Sequence, residues 1–129
     1  MNIKKQKKFI LSLLYDVIRR RKKLDPKEKE YSYTVKLFSL GKNYICKKVQ
    51  EEAKEVVDSA LKESPKRTIQ ESADLLYHLL VLWAERGIKP EQIWKELDRR
   101  KGTSGIIEKS KRKKISGKCF RRSETNRFS

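Results

Sequence analysis

Between Ala73 and Ala84 the chain reads ADLLYHLLVLWA, and the only strongly polar side chains in that run are Asp74, Tyr77 and His78. The run lies in a helix that the sequence opens at Thr68, where Thr68-Ile-Gln-Glu71 has the spelling of a capping box. Gly87 closes it after Arg86, since a left-handed backbone costs glycine little. A helix apolar nearly all round must be covered on several sides, which one facing helix cannot do. Either several helices surround it, or a second copy of the chain does.

The remaining periodicity supplies those helices. Phe9, Ile10, Leu13, Leu14, Val17 and Ile18 fall on one helical face. A charge-rich linker with Pro26 ends that helix. Ser32–Leu40 is ambiguous by pattern, and Gly41 punctuates it. Asn43–Lys62 reads as a helix with Ile45, Val49, Ala53, Val56 and Ala60 as its inner stripe, followed by a short polar loop over residues 63–67. Pro90 suits a first helical residue, with Ile88 and Ile93 as a staple, and that short helix ends near Arg100. Tyr77, Trp83 and Cys46 read as core. With 5 Gly and 3 Pro in 129 residues, a many-turned β architecture is excluded. The expected fold is all-α: an antiparallel helix pair with flanking helices, completed as a multi-helix bundle by homodimerisation. The domain spans residues 1–112, and 113–129 form a basic disordered tail.

The net charge of +17 suggests a nucleic-acid ligand until its position is examined. Residues 1–31 carry 11 basic and 4 acidic side chains and residues 108–129 carry 9 and 2, so each end is net +7. The middle, 32–107, holds 14 and 11, net +3. The excess therefore belongs to the ends, which argues against nucleic acid as the main ligand. No run of 18 apolar residues crosses a membrane, and no signal-peptide cleavage site follows the basic start. Two distant cysteines form no disulfide framework, so the cytoplasm is the expected compartment. With one histidine, any metal would be held by carboxylates.

Two helices carry acidic pairs at i, i+3: Glu52/Glu55 and Glu71/Asp74. That spacing puts each pair on one face. Glu52 borders the Val49–Val56 stripe, and Asp74 stands among Ala73, Leu75 and Leu76. Carboxylates beside a core are costly unless a cation compensates them, and oxygen-only ligands suit Mg2+. Simpler readings exist. Glu51, Glu52 and Glu55 fit a solvated face paired with Lys48 and Lys54, and Glu71 fits the capping-box partner of Thr68. His78, four residues after Asp74, fits a satisfied core histidine best, with orientation of a carboxylate or phosphate as its other reading.

Several blocks carry a resemblance. Ser32-Tyr-Thr34 with Lys36-Leu37 and Gly41, then Ile45, Lys48-Val-Gln-Glu51-Glu52-Ala and Glu55-Val-Val, resemble the phosphoribosyl-ATP pyrophosphatase family of histidine biosynthesis. So do Glu71-Ser-Ala-Asp74-Leu-Leu-Tyr-His78-Leu-Leu-Val and Arg100-Lys-Gly102-Thr-Ser104-Gly105 with Glu108-Lys109. The two acidic pairs alone would indicate only the wider all-α NTP pyrophosphatase (MazG-like) superfamily. Gln50 and Lys101 depart from residues common in the family, Gly and His respectively. The resemblance implies an all-α homodimer that uses Mg2+ to cleave between the α and β phosphates of 1-(5-phosphoribosyl)-ATP. It implies Glu52, Glu55, Glu71 and Asp74 as metal ligands. Glu51, Glu52 and Glu55 are the candidates to accept a proton from water. Lys36, Lys48, His78, Arg100, Gly102, Ser104 and Gly105 are candidates for contacting phosphates or ribose. The tail leaves no room for a fused phosphoribosyl-AMP cyclohydrolase, so a separate protein is expected to take the next step. Two rivals stand beside this expectation: a house-cleaning nucleoside triphosphate pyrophosphatase, and a basic helical nucleic-acid-binding protein.

Overall fold

The computed structural model describes residues 3–24, 32–102, 105 and 109–112, with backbone alone for 3–9. The linker around Pro26, Ser104 and the basic segment from 113 onward lie outside the described residues. Five helices account for the architecture: α1 (Ile3–Lys22), α2 (Tyr33–Leu40), α3 (Lys42–Lys62), α4 (Pro65–Arg86) and α5 (Pro90–Arg100). No strand occurs among the described residues, so the fold is all-α. None of these helices is long and apolar enough to cross a membrane. The chain divides into two compact units, one ending at Pro90 and the other beginning at Glu91.

In the first unit α3 and α4 form the most extensive helix pair. Only Glu63 and Ser64 connect them, and so short a link makes consecutive helices antiparallel neighbours. The core takes Tyr15 and Ile18 from α1, Leu37 from α2, Ile45 from α3, and Leu80, Val81 and Ala84 from α4. Helix α1 also secures the end of α4. The Tyr15 hydroxyl donates to the Ile88 carbonyl at 2.7 Å, and Lys22 Nζ donates to the carbonyls of Ala84 and Glu85 at 3.3 Å each. Carbonyls of a last helical turn lack i+4 partners inside the helix, that of Ala84 being met also by the Gly87 cap N–H, and a cation suits the negative end of the dipole.

The ambiguous segment 32–40 is helical. Ser32 caps it, its hydroxyl accepting from the Val35 amide at 3.1 Å, and Thr34, Val35 and Leu37 are buried. Gly41, at φ +95°, then serves two helices: its N–H bonds the Leu37 carbonyl and its carbonyl accepts from the Ile45 N–H. A side chain there would be strained, which is why glycine occupies the corner.

Three local expectations are corrected. The capping box at Thr68 does not form, because α4 starts three residues earlier at Pro65, with Ser64 as N-cap accepting from the Arg67 amide at 3.4 Å. Proline has no N–H to lose in the first turn and its φ is preset, so residues 65–67 of the segment that reads as a loop are helix. Thr68 Oγ1 instead donates to the Ser64 carbonyl and accepts from the Ser59 hydroxyl. Along α3 the inner stripe ends differently: Ser59 is fully buried while Ala60 is exposed. Cys46 is exposed rather than core, since it sits one residue round the helix from the buried Ile45. Gly87 behaves as expected, in the left-handed conformation at φ +73°.

Along α4, His78, Leu80, Val81 and Ala84 are buried, and Tyr77, Leu82 and Trp83 pack against the core, but one side stays open. Ile69 remains 70% and Leu76 42% exposed. In the second unit, Glu96 accepts hydrogen bonds from both Arg99 and Arg100 one turn later on α5.

Candidate active site

Antiparallel packing of α3 on α4 brings together carboxylates that are remote in sequence. Oxygen atoms of Glu52, Glu71 and Asp74 all lie within 4.8 Å of one another. Glu71 is 7% exposed, Glu52 is partly buried and Asp74 is exposed, so the group runs from the helix interface to solvent. The spacing of Glu71 and Asp74 by three residues sets two of them on one face of α4. Glu55, one turn beyond Glu52, is exposed and stands outside this group.

Three like charges so close together repel, and two side chains offset part of that. Lys48 Nζ lies 3.0 Å from Glu51 and 3.8 Å from Glu52. Arg67 approaches Glu71 at 2.5 Å while also reaching Glu63 and Gln70. The hydrogen bond from Lys48 holds the Glu51 carboxyl below the usual carboxylate range, and the same bond raises Lys48. Arg67 was not among the sequence candidates. Its signal, an Arg four residues before Glu71, emerges only once residues 65–67 are known to be helical.

His78 is a buried, satisfied histidine. Its Nδ1 lies 2.7 Å from the Asp74 carbonyl oxygen and its Nε2 lies 2.7 Å from the Tyr33 hydroxyl. Tyr33 and Tyr77 both contact the imidazole edge-on, with centroids 5.6 and 5.9 Å away. Next to Tyr33, Thr34 is hydrogen-bonded through its hydroxyl to that of Tyr77. Burial raises the Tyr33 phenol, against a smaller opposing pull from Lys48. Lys36 is exposed on α2. In the second unit Arg100 pairs with Glu96 at 2.8 Å, and Gly102 and Gly105 are exposed.

The donor set fits a hard divalent cation: oxygen ligands only, converging from two helices, with more negative charge than the neighbouring side chains neutralise. With three converging carboxylates the group can hold a metal ion, and Lys48 beside it can meet anionic oxygens of a phosphorylated ligand.

The family model described as phosphoribosyl-ATP pyrophosphohydrolase matches residues 11–101. The phosphoribosyl-ATP pyrophosphatase of Paramagnetospirillum magneticum is 53% identical over 105 residues, covering 81% of this chain and 94% of that protein. The phosphoribosyl-ATP pyrophosphatase of Sulfurisphaera tokodaii is 50% identical over 91 residues, 70% of this chain and 94% of its own. A two-activity relative, the histidine biosynthesis bifunctional protein HisIE of Wolinella succinogenes, is 47% identical over 81% of this chain and 44% of its own.

Proposed function

This chain belongs to the phosphoribosyl-ATP pyrophosphohydrolase family, and from that membership we propose that it hydrolyses the α–β phosphoanhydride of 1-(5-phosphoribosyl)-ATP with Mg2+. The products are 1-(5-phosphoribosyl)-AMP and pyrophosphate, at the second step of L-histidine biosynthesis. It is a hydrolase, and the observation that carries the site assignment is the convergence of Glu52, Glu71 and Asp74 within 4.8 Å.

Glu52, Glu71 and Asp74 would hold the ion, with Glu55 one turn away as the fourth carboxylate. The bound ion supplies neutralisation of phosphate charge and a lowered pKa for water. Lys48 binds an anionic oxygen of the substrate. In doing so it leaves Glu51, whose carboxyl is held low chiefly by the hydrogen bond from that lysine, and a carboxylate with a rising pKa becomes a better proton acceptor. Glu51 is therefore the residue proposed as general base. Arg67 holds the buried Glu71 carboxylate in place. The chain is proposed to work as a homodimer, with the second copy covering the exposed apolar face of the α3–α4 pair.

The decisive assay supplies phosphoribosyl-ATP to purified protein with Mg2+ or with EDTA and measures pyrophosphate, alongside a panel of nucleoside triphosphates. Pyrophosphate release that needs Mg2+ and favours phosphoribosyl-ATP supports the proposal. Equal turnover in EDTA, or preference for another triphosphate, refutes it.

A further inference from the structure

Two consecutive residues at the start of α2 reach two consecutive residues of α4: Thr34 bonds Tyr77, and Tyr33 bonds His78. The polarity of the second link follows from the atom beyond it. His78 Nδ1 faces the Asp74 carbonyl oxygen at 2.7 Å. A carbonyl only accepts, so Nδ1 carries the proton. In the neutral ring Nε2 is then a bare lone pair. Tyr33 must donate to it.

A phenol has one proton, and here that proton is committed inward. What Tyr33 offers in other directions is oxygen lone pairs alone. The residue is 47% exposed, so a ligand can reach it. Through His78, which bonds the Asp74 carbonyl, the phenol is tied to the turn of α4 that carries Asp74. Phosphate oxygens are acceptors and would be repelled by a second acceptor. A sugar hydroxyl can donate.

We propose that Tyr33 is a substrate-binding residue whose phenol oxygen accepts a hydrogen bond from a ribose hydroxyl, its own proton being held by His78. This inference rests on the phosphoribosyl-ATP reading and divides the labour of the site. Lys48 and the carboxylate-held cation meet the phosphates, while Tyr33 reads the sugar.

The Tyr33→Phe variant keeps the ring against His78 and removes only the oxygen. KM for phosphoribosyl-ATP should rise about 3- to 10-fold, the range one neutral hydrogen bond covers, with kcat changed less than about twofold. Inhibition by pyrophosphate, which brings acceptor oxygens and no sugar, should be unchanged. An unchanged KM, or a parallel weakening of pyrophosphate, overturns the proposal. ATP as a competing inhibitor locates the donor: weakened inhibition assigns it to the nucleoside ribose, unaltered inhibition to the phosphoribosyl ring. A second measurement needs no variant. The chain has a single histidine, so imidazole 15N NMR reports one ring without ambiguity. The signals should show a protonated Nδ1 and a bare Nε2. A protonated Nε2 overturns the proposal, because Tyr33 would then accept from His78 and turn its own proton outward. Failure of the functional reading looks different: the wild-type chain would itself release no pyrophosphate, whatever the tautomer.

Discussion

Glu71 is a carboxylate with 7% of its surface exposed, set against two other carboxylates and held by a single guanidinium. On the proposed reading such an arrangement gives up stability for a place to bind a cation, and that trade can be measured at Asp74. Asp74 is the exposed member, so replacing it by Asn leaves the packing intact and removes one of three like charges. At this separation in a solvent-exposed setting, relief of repulsion is about 1 kcal/mol. Asp74→Asn should therefore melt, without metal, at the wild-type temperature or a few degrees above it. Its turnover should fall by more than the ~10–100-fold that loss of a partner outside the ligand set typically costs. Added Mg2+ should raise the wild-type melting temperature and leave the variant's unmoved. Near-normal turnover in Asp74→Asn would remove Asp74 from the site.

The helices test a different kind of statement, because their ends decide which side chains meet. Ser64 and Thr68 both spell an N-cap, and the chain uses Ser64. Ser64→Ala should cost about 1 kcal/mol, read as a lowered midpoint in urea unfolding with unchanged slope. No loss would return the helix start to Thr68. The same boundary explains what the sequence could not reveal. The apolar run of α4 and the Gly87 stop are periodic or local signals, and each is where sequence reasoning put it; of the two acidic pairs, Glu52, Glu71 and Asp74 converge while Glu55 stands outside. Arg67 was hidden because 63–67 reads as a loop, and its pairing with Glu71 exists only inside a helix. The roles of Tyr33 and Thr34 were hidden for another reason: their partners lie 45 and 43 residues away, and no periodicity reports a contact between helices. Helix α5 allows a pH test. Hydrogen bonds from Arg99 and then Arg100 hold the Glu96 carboxyl down at about 2, against an unperturbed 4.5. A depressed folded value means the stabilisation is complete above about 4.5 and is lost as pH falls through about 2. In a carboxyl 13C titration Glu96 should have its midpoint near 2, and Arg99→Gln with Arg100→Gln should return it toward 4.5. A wild-type midpoint near 4.5 would mean the arginine fork does not persist in solution.

At the scale of the whole molecule the question is what covers α4. A helix apolar nearly all round demands several neighbours, yet in one chain the side bearing Ile69 and Leu76 stays open. Across the hairpin Leu61 is 76% and Val57 55% exposed. A groove there joins the two helices, its lining mixing the apolar Ala60, Pro65, Ile69, Ala73 and Leu76 with the polar Glu63, Ser64, Thr68 and Ser72. Scattered exposed leucines mean little, but Val57, Leu61, Ile69 and Leu76, all exposed on the helix pair that carries the acidic group, make that pair the candidate for burial against a partner. A second copy is the occupant we propose, since it presents the same apolar face and a two-fold axis would set one against the other. Each buried Ile or Leu would contribute about 1.5–3 kcal/mol. Sedimentation equilibrium at micromolar concentration should give twice the chain mass for the wild type. Ile69→Glu should give a monomer, because a carboxylate at that position would be buried without a partner. The variant should also lose the concentration dependence of the wild-type melting temperature, which follows from mass action in any dimer whose folding and association are linked. A wild type that sediments as a monomer across that range would leave α4 covered by something other than its own copy.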